Sequence, residues 1–242
     1  DMLAHAKTAD LPDDFRIVLT GNGRVGQGAR EVLDHMKLRC VHKSDFVRMD
    51  FPEPVFTHLE VEDYNERTDG RAFDFRSFVD DATDYQSAFM PFAKRANMFI
   101  AGHFWAEGAP FLFTREDMRD PEWSVEVVAD ISCDIDGPVA CTLRPSSIEN
   151  PLYGYDPIAE SECAFDAPNG LTVLAVDNLP CELPRDASEG FGRELMEHVI
   201  PLLVAGDDDG ILHAASETTL QGTLNAPFAY LESYVALGKS AS

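Results

Sequence analysis

Gly21-Asn22-Gly23-Arg24-Val25-Gly26-Gln27-Gly28 contains the spacing G-x-G-x-x-G. The chemistry this spacing serves is the cradling of a pyrophosphate. Gly21 permits a tight turn, Gly23 lets the backbone approach the phosphates, and Gly26 lets helix and strand pack closely. A helix that starts here offers free N–H groups and a positive dipole end to the anion. The flanking residues supply that context. Phe15 to Thr20 reads as a buried strand, and Ala29 to Met36 continues an amphipathic helix. The unit predicts dinucleotide binding, with Asn22, Arg24 and Val25 as contacts beside the three glycines. The bland alternative is a tight βα turn that binds nothing.

Ligands in a doubly wound sheet lie beyond the carboxyl ends of its strands. Three further segments are expected there: Gly102-His103-Phe104-Trp105, Ser132-Cys133-Asp134-Ile135-Asp136-Gly137-Pro138, and Asp177-Asn178-Leu179-Pro180. Asp130, Asp134 and Asp136 form a dense carboxylate group that suits a cofactor or a substrate amine, or holds a turn through Asx hydrogen bonds. No metal site is predicted from them, because that needs several converging oxygens. His103 is a candidate proton donor or ribose contact, or else a structural hydrogen bonder. Asp134 and His103 are the candidates for catalytic work. Phe104, Asp130, Ser132, Asn178 and Leu179 are candidate cofactor contacts.

An acid at the end of the second strand would bind the ribose hydroxyls of NAD. Leu38 to Val41 is the expected second strand, and His42-Lys43-Ser44-Asp45 follows it. His42 and Asp45 are the candidate contacts, whereas Lys43 suits a 2′-phosphate. NAD and NADP both stay open.

The elements that must position these groups alternate between strand and helix. Strands are expected at Met98–Ala101, Val125–Ile131 and Leu171–Val176, with a helix from Asp84 to about Lys94. A capping box at Thr114-Arg115-Glu116-Asp117 opens a short helix. Pro184 fits the first turn of a long helix running to Val204. Two shorter helices, Ile211–Gln221 and Pro227–Leu237, follow. The pattern predicts an α/β, doubly wound parallel sheet, Rossmann-like, with helices on both faces and a C-terminal helical extension. Residues 1–14 read as a linker or the remnant of an N-terminal domain. Residues 15–204 form the dinucleotide-binding domain, with an insertion over about 43–83. Residues 205–242 form the C-terminal helices.

The formal charge of −24 argues against nucleic acid and anionic membranes as partners. Lysine is scarce, which together with the surplus of Asp and Glu suits a high-salt interior. No apolar run approaches the roughly 18 residues of a membrane span. The cysteines number five and show no C-x-x-C, so reduced thiols in a cytoplasmic protein are expected.

Three segments also resemble a known family. Ala129-Asp130-Ile131-Ser132-Cys133-Asp134 to Pro138 is similar to the D-I-S-x-D segment of lysine-forming saccharopine dehydrogenases and of lysine–ketoglutarate reductases. Ile148-Glu149-Asn150-Pro151 to Asp156 is the second match. Val176-Asp177-Asn178-Leu179-Pro180 with Leu183 to Ser188 and Phe191-Gly192 is the third. With the glycine turn they cover residues 15–237. Alanine dehydrogenase is a more distant relative, whose Asp near the nicotinamide would fall on Asp134.

The resemblance implies an NAD- or NADP-dependent oxidoreductase of lysine metabolism, acting on an amino-acid CH–NH group. In this family saccharopine is oxidised through an imine to lysine and 2-oxoglutarate. Family members carry a domain ahead of the glycine turn that supplies a Lys and His acid/base pair. The resemblance therefore implies an amino-acid substrate and an N-terminal catalytic domain, in cis or in trans, toward which the C-terminal helices pack. A homodimer stays open. So does a non-catalytic nucleotide-binding or scaffold module that kept the fold.

Overall fold

The computed structural model describes residues 2–6, 10–106 and 108–240. The chain divides into two compact units, residues 1–179 and 180–242.

Among the described residues the first unit holds ten strands: β1 (Arg16–Thr20), β2 (Arg39–Cys40), β3 (Val55–Leu59), β4 (Asn65–Arg67), β5 (Tyr85–Ser87), β6 (Met98–Ala101), β7 (Val127–Asp130), β8 (Leu152–Asp156), β9 (Ser161–Cys163) and β10 (Leu171–Leu174). Eight of them form one sheet in the order β2-β3-β1-β6-β7-β10-β8-β9. From β2 to β10 every neighbouring pair is parallel, whereas β8 pairs antiparallel with both β10 and β9. The sheet is Rossmann-like and mostly parallel, as the alternation of strands and helices implies. Its antiparallel margin at β8 and β9 was not expected.

The period of two along β1 places its side chains on opposite faces. Val18 packs in one apolar cluster with Phe46, Phe89, Phe99 and Phe113. Ile17 and Leu19 pack in another with Leu33, Phe56 and Ile100. Leu33 comes from the helix Arg24–His35, which starts directly after the glycine turn. All five residues of β1 are buried, as befits a central parallel strand covered on both faces.

The strand expected beside β1 is placed differently. Arg39–Cys40 is a two-residue exposed edge strand that, among the described residues, pairs only with β3. Val55–Leu59, longer and more apolar, takes the position next to β1, in register from Arg16 opposite Val55 to Thr20 opposite Leu59.

The expected insertion holds structure of its own. β4 and β5 pair antiparallel around the helix Phe75–Asp80, whose first turn is capped by the Asp74 carboxylate accepting from Ser77 N at 2.7 Å. Phe73, Phe78 and Tyr85 form its nucleus, with ring centroids 5.0–5.3 Å apart. The helix expected from Asp84 is replaced by β5 and the short helix Met90–Ala93. Thr114 and Asp117 do form a capping box, with Thr114 N donating to Asp117 Oδ2 at 2.7 Å and Asp117 N to Thr114 Oγ1 at 3.2 Å. The turn it opens is a 3₁₀ helix, Asp117–Arg119.

In the second unit the long helix is α-helical over Pro184–Glu194 and Ile200–Ala205, with a π-helical stretch, Leu195–Val199, between them. Pro201 lacks the N–H that would continue the regular ladder, which accounts for the irregular turn before it. The next expected helix stops at Ala215, and a turn at Gly222 (φ 76°) follows. A 3₁₀ turn, Ala226–Leu231, leads into the last helix, Glu232–Ser240.

Candidate functional site

The glycines of the turn have different reasons to be glycine. Gly21 has φ 94°, and a Cβ there would lie 2.4 Å from Gly102 O. A Cβ on Gly26 would fall 1.7 Å from Gly21 O. Those two are required by the close approach of the turn, the helix and the end of β6. Gly23 is not required by the fold. Its φ is −78°, and a Cβ would meet no atom of the described residues within 4 Å. It stands at the start of the helix Arg24–His35, facing open space where N–H groups lack helical partners.

That open space is a cleft of about 820 Å³ beyond the carboxyl ends of β3, β1, β6 and β7. Gly21, Asn22, Gly23, Arg24 and Val25 line it below. On the β3 side stands Glu60, which follows Leu59 and accepts from Asn22 Nδ2 at 2.8 Å. Glu60 N donates to Asp63 Oδ2 at 2.9 Å, which fixes the first turn of the helix Val61–Tyr64. Lys43 forms an ion pair with Asp63. On the β7 side stand Ser132 and Asp134.

The loop holding Asp134 is shaped from below by Asp130, which is 1% exposed. Asp130 Oδ1 accepts from Ser132 Oγ at 2.7 Å and Cys133 N at 3.0 Å, and Oδ2 accepts from Thr142 Oγ1 at 2.6 Å. Cys133 and Asp136 both adopt φ 53°, so the loop is bent at two left-handed residues. Burial, and then the nearby charge of Asp130, push the carboxyl of the half-buried Asp134 up from its ordinary pKa.

His103 follows β6 and is 5% exposed. Its Nδ1 lies 2.8 Å from Thr20 Oγ1, and its ring packs against Tyr64 at 5.5 Å. Nε2 is buried and has no hydrogen-bond partner among the described residues. Burial pushes the ring's pKa down to about 4, so His103 is neutral near pH 7. A neutral imidazole held in this way is a hydrogen-bonding group rather than a reservoir of positive charge.

The structure therefore gathers Gly21, Asn22, Gly23, Arg24, Val25, His103, Phe104, Ser132 and Asp134 around one cleft, with Gly26 packed beneath it. Five of the other expected contacts do not line it. His42 caps the helix Lys43–Arg48 at the sheet edge, accepting from Ser44 N at 3.3 Å. Asp45 sits in the first turn of that helix. Asn178 and Leu179 lie past β10. Asp130 is committed to its three donors. Sequence reasoning missed Glu60, whose signal was an acid placed directly after the apolar run Val55–Leu59.

Among the described residues, no group of three or more His, Cys, Asp or Glu is arranged to hold a metal ion. Among the same residues, no helix is long and apolar enough to cross a membrane.

Sheet, glycine turn and cleft together define a Rossmann-like α/β protein. Its homologues are alpha-aminoadipic semialdehyde synthases and lysine-forming saccharopine dehydrogenases. The chain is 29% identical over 223 residues to the mitochondrial alpha-aminoadipic semialdehyde synthase of Mus musculus, a match covering 78% of this chain and 23% of that protein. It is 22% identical over 195 residues to the alpha-aminoadipic semialdehyde synthase of Arabidopsis thaliana, covering 72% and 18%. It is 28% identical over 107 residues to the saccharopine dehydrogenase [NAD(+), L-lysine-forming] of Schizosaccharomyces pombe, covering 44% and 28%. The matches thus span under a third of each of these relatives. No protein-family model matches the chain.

Proposed function

We propose that this chain is the NAD(P)-binding part of a saccharopine dehydrogenase-like oxidoreductase acting on an amino-acid CH–NH group. The observation that carries this reading is Gly23. It is a glycine the fold does not need, at a helix start, beside the space a pyrophosphate would fill. When bound, the nicotinamide supplies the hydride acceptor or donor. The remaining roles belong to the chain. The turn from Gly21 to Gly26 holds the phosphates, with Arg24 as the cationic side chain of the turn. Glu60 accepts hydrogen bonds from the adenosine ribose, and Asp134 marks the nicotinamide end, where it orients the ring or the substrate amine. The groups that move protons on the substrate come from a separate N-terminal domain, in cis or in trans. The size of the relatives supports that division, since the match covers 23% of the mouse protein.

Glu60 also argues for NAD over NADP. A 2′-phosphate placed there would meet the Glu60 carboxylate with Glu62 close behind, while Asp63 already holds the Lys43 charge. NADH is expected to bind at least about tenfold more tightly than NADPH, a difference of about 1.4 kcal/mol. Glu60→Ala should shrink that ratio, mainly by weakening NADH. Titration of nicotinamide fluorescence measures both. Equal affinities in the unmodified chain, or a ratio unchanged in Glu60→Ala, would remove Glu60 from the ribose.

A further inference from the structure

His58 is a polar residue on an apolar face. The period of two along β3 puts it on the same side as Phe56, which packs with Ile17, Leu19 and Leu33 of the helix Arg24–His35. An inner parallel strand covered by a helix normally presents an aliphatic side chain at such a position. The half-buried His58 ring instead reaches the glycine turn, with Nε2 2.6 Å from Gly21 O. A carbonyl has no proton to give, so Nε2–H is the donor. We propose that His58 is a positioning residue for the dinucleotide: by holding the Gly21 carbonyl it aims the Asn22 N–H at the pyrophosphate. The proposal rests on the dinucleotide reading of the cleft.

The peptide group carries the effect. The bond between Gly21 and Asn22 is trans, so its C=O and N–H point opposite ways. With the oxygen drawn toward His58, the Asn22 N–H is directed away from that ring. Asn22 and Gly23 are both exposed and line the cleft.

Three consecutive residues at the end of β3 serve this one turn. His58 donates to Gly21 O, Leu59 O accepts from Gly21 N at 3.1 Å, and Glu60 accepts from Asn22 Nδ2 at 2.8 Å. From the other side of β1, Gly102 N donates to Thr20 O at 3.1 Å. The Gly21 oxygen also lies against Gly26, where a Cβ would fall 1.7 Å from it. An aliphatic residue at position 58 would fill the face but leave this carbonyl without its side-chain donor. The peptide would then be freer to tilt, and a bound dinucleotide would have to fix the turn itself. Ordering a site on binding weakens affinity.

The test compares the unmodified 242-residue chain with His58→Leu, which suits the apolar face and has no donor, and His58→Gln, whose amide donates to the same carbonyl. Fluorescence titration is expected to show NADH weakened about tenfold in His58→Leu and held within about threefold of the unmodified chain in His58→Gln. ADP, which carries the pyrophosphate and no nicotinamide, should lose the same factor, read by its displacement of NADH. Parallel thermal melts show which variants fold. Unchanged NADH affinity in a folded His58→Leu, equal losses in both variants, or a loss for NADH without one for ADP would each overturn the role. The unmodified chain supplies a check that needs no variant. Long-range ¹H–¹⁵N NMR should find the His58 proton on Nε2, and a ring protonated on Nδ1 alone would overturn the role. If NADH did not bind the unmodified chain, the cleft reading would fall and the proposal with it, whereas every failure above leaves NADH bound there.

Discussion

Gly23→Val is expected to weaken NADH binding at least about a hundredfold while costing about 1 kcal/mol of stability or less. A Cβ at position 23 meets no atom of the described residues within 4 Å, and φ is −78°, which any residue adopts. The side chain is therefore accommodated by the fold, and the loss falls on whatever approaches the helix start. The small stability term reflects valine's poorer fit at a helix N-cap. Calorimetric titration with a parallel thermal melt separates the two effects. Gly26 offers the contrast inside the same motif. A Cβ there would fall 1.7 Å from a backbone oxygen, so substitution reports on folding and not on binding. Unchanged NADH affinity in a folded Gly23→Val protein would mean that the turn holds no phosphate.

Asp130→Ala is expected to cost about 3 kcal/mol of unfolding free energy, which for a unit of this size is a drop in melting temperature of roughly 6–12 °C. The carboxylate is buried and accepts from Ser132 Oγ, Cys133 N and Thr142 Oγ1. Removing it strands three donors in an apolar setting and frees the loop that bends at Cys133 and Asp136. NADH affinity should fall as well, because that loop positions Ser132 and Asp134. Asp130→Asn keeps one acceptor and should fall between the two. Denaturant unfolding checks the size of the effect, and a cost below about 1 kcal/mol would show that the loop does not depend on this carboxylate.

The glycine unit was legible because its reasons are local. A turn that needs positive φ, a tight helix–strand contact and an apolar strand all sit within a short stretch. β1, β6 and the core of β7 were readable on the same ground. Strand order was not, because it depends on which strand buries more apolar surface beside β1. Val55–Leu59 takes that position, and the two residues Arg39–Cys40 are left at the exposed edge. Moving one strand moved the expected ribose acid from Asp45 to Glu60. Asp130 looked like a ligand contact from its place at a strand end. Its partner Thr142 lies twelve residues further on, in a loop whose path no sequence period reveals. His103 was visible as a residue type at a strand end, but its burial and its bond to Thr20 emerge only when β1 and β6 pair.

A bound dinucleotide is expected to run in one direction, with its phosphates on the glycine turn, its adenosine toward Glu60 and its nicotinamide toward Asp134. A crystal structure of the chain with bound NADH tests it most directly. The prediction is a ribose hydroxyl of the adenosine half hydrogen-bonded to Glu60, the pyrophosphate over Gly23, and the nicotinamide or its ribose within about two hydrogen-bond lengths, roughly 6 Å, of the Asp134 carboxylate. A dinucleotide bound in the reverse direction, or bound away from the turn, would contradict it.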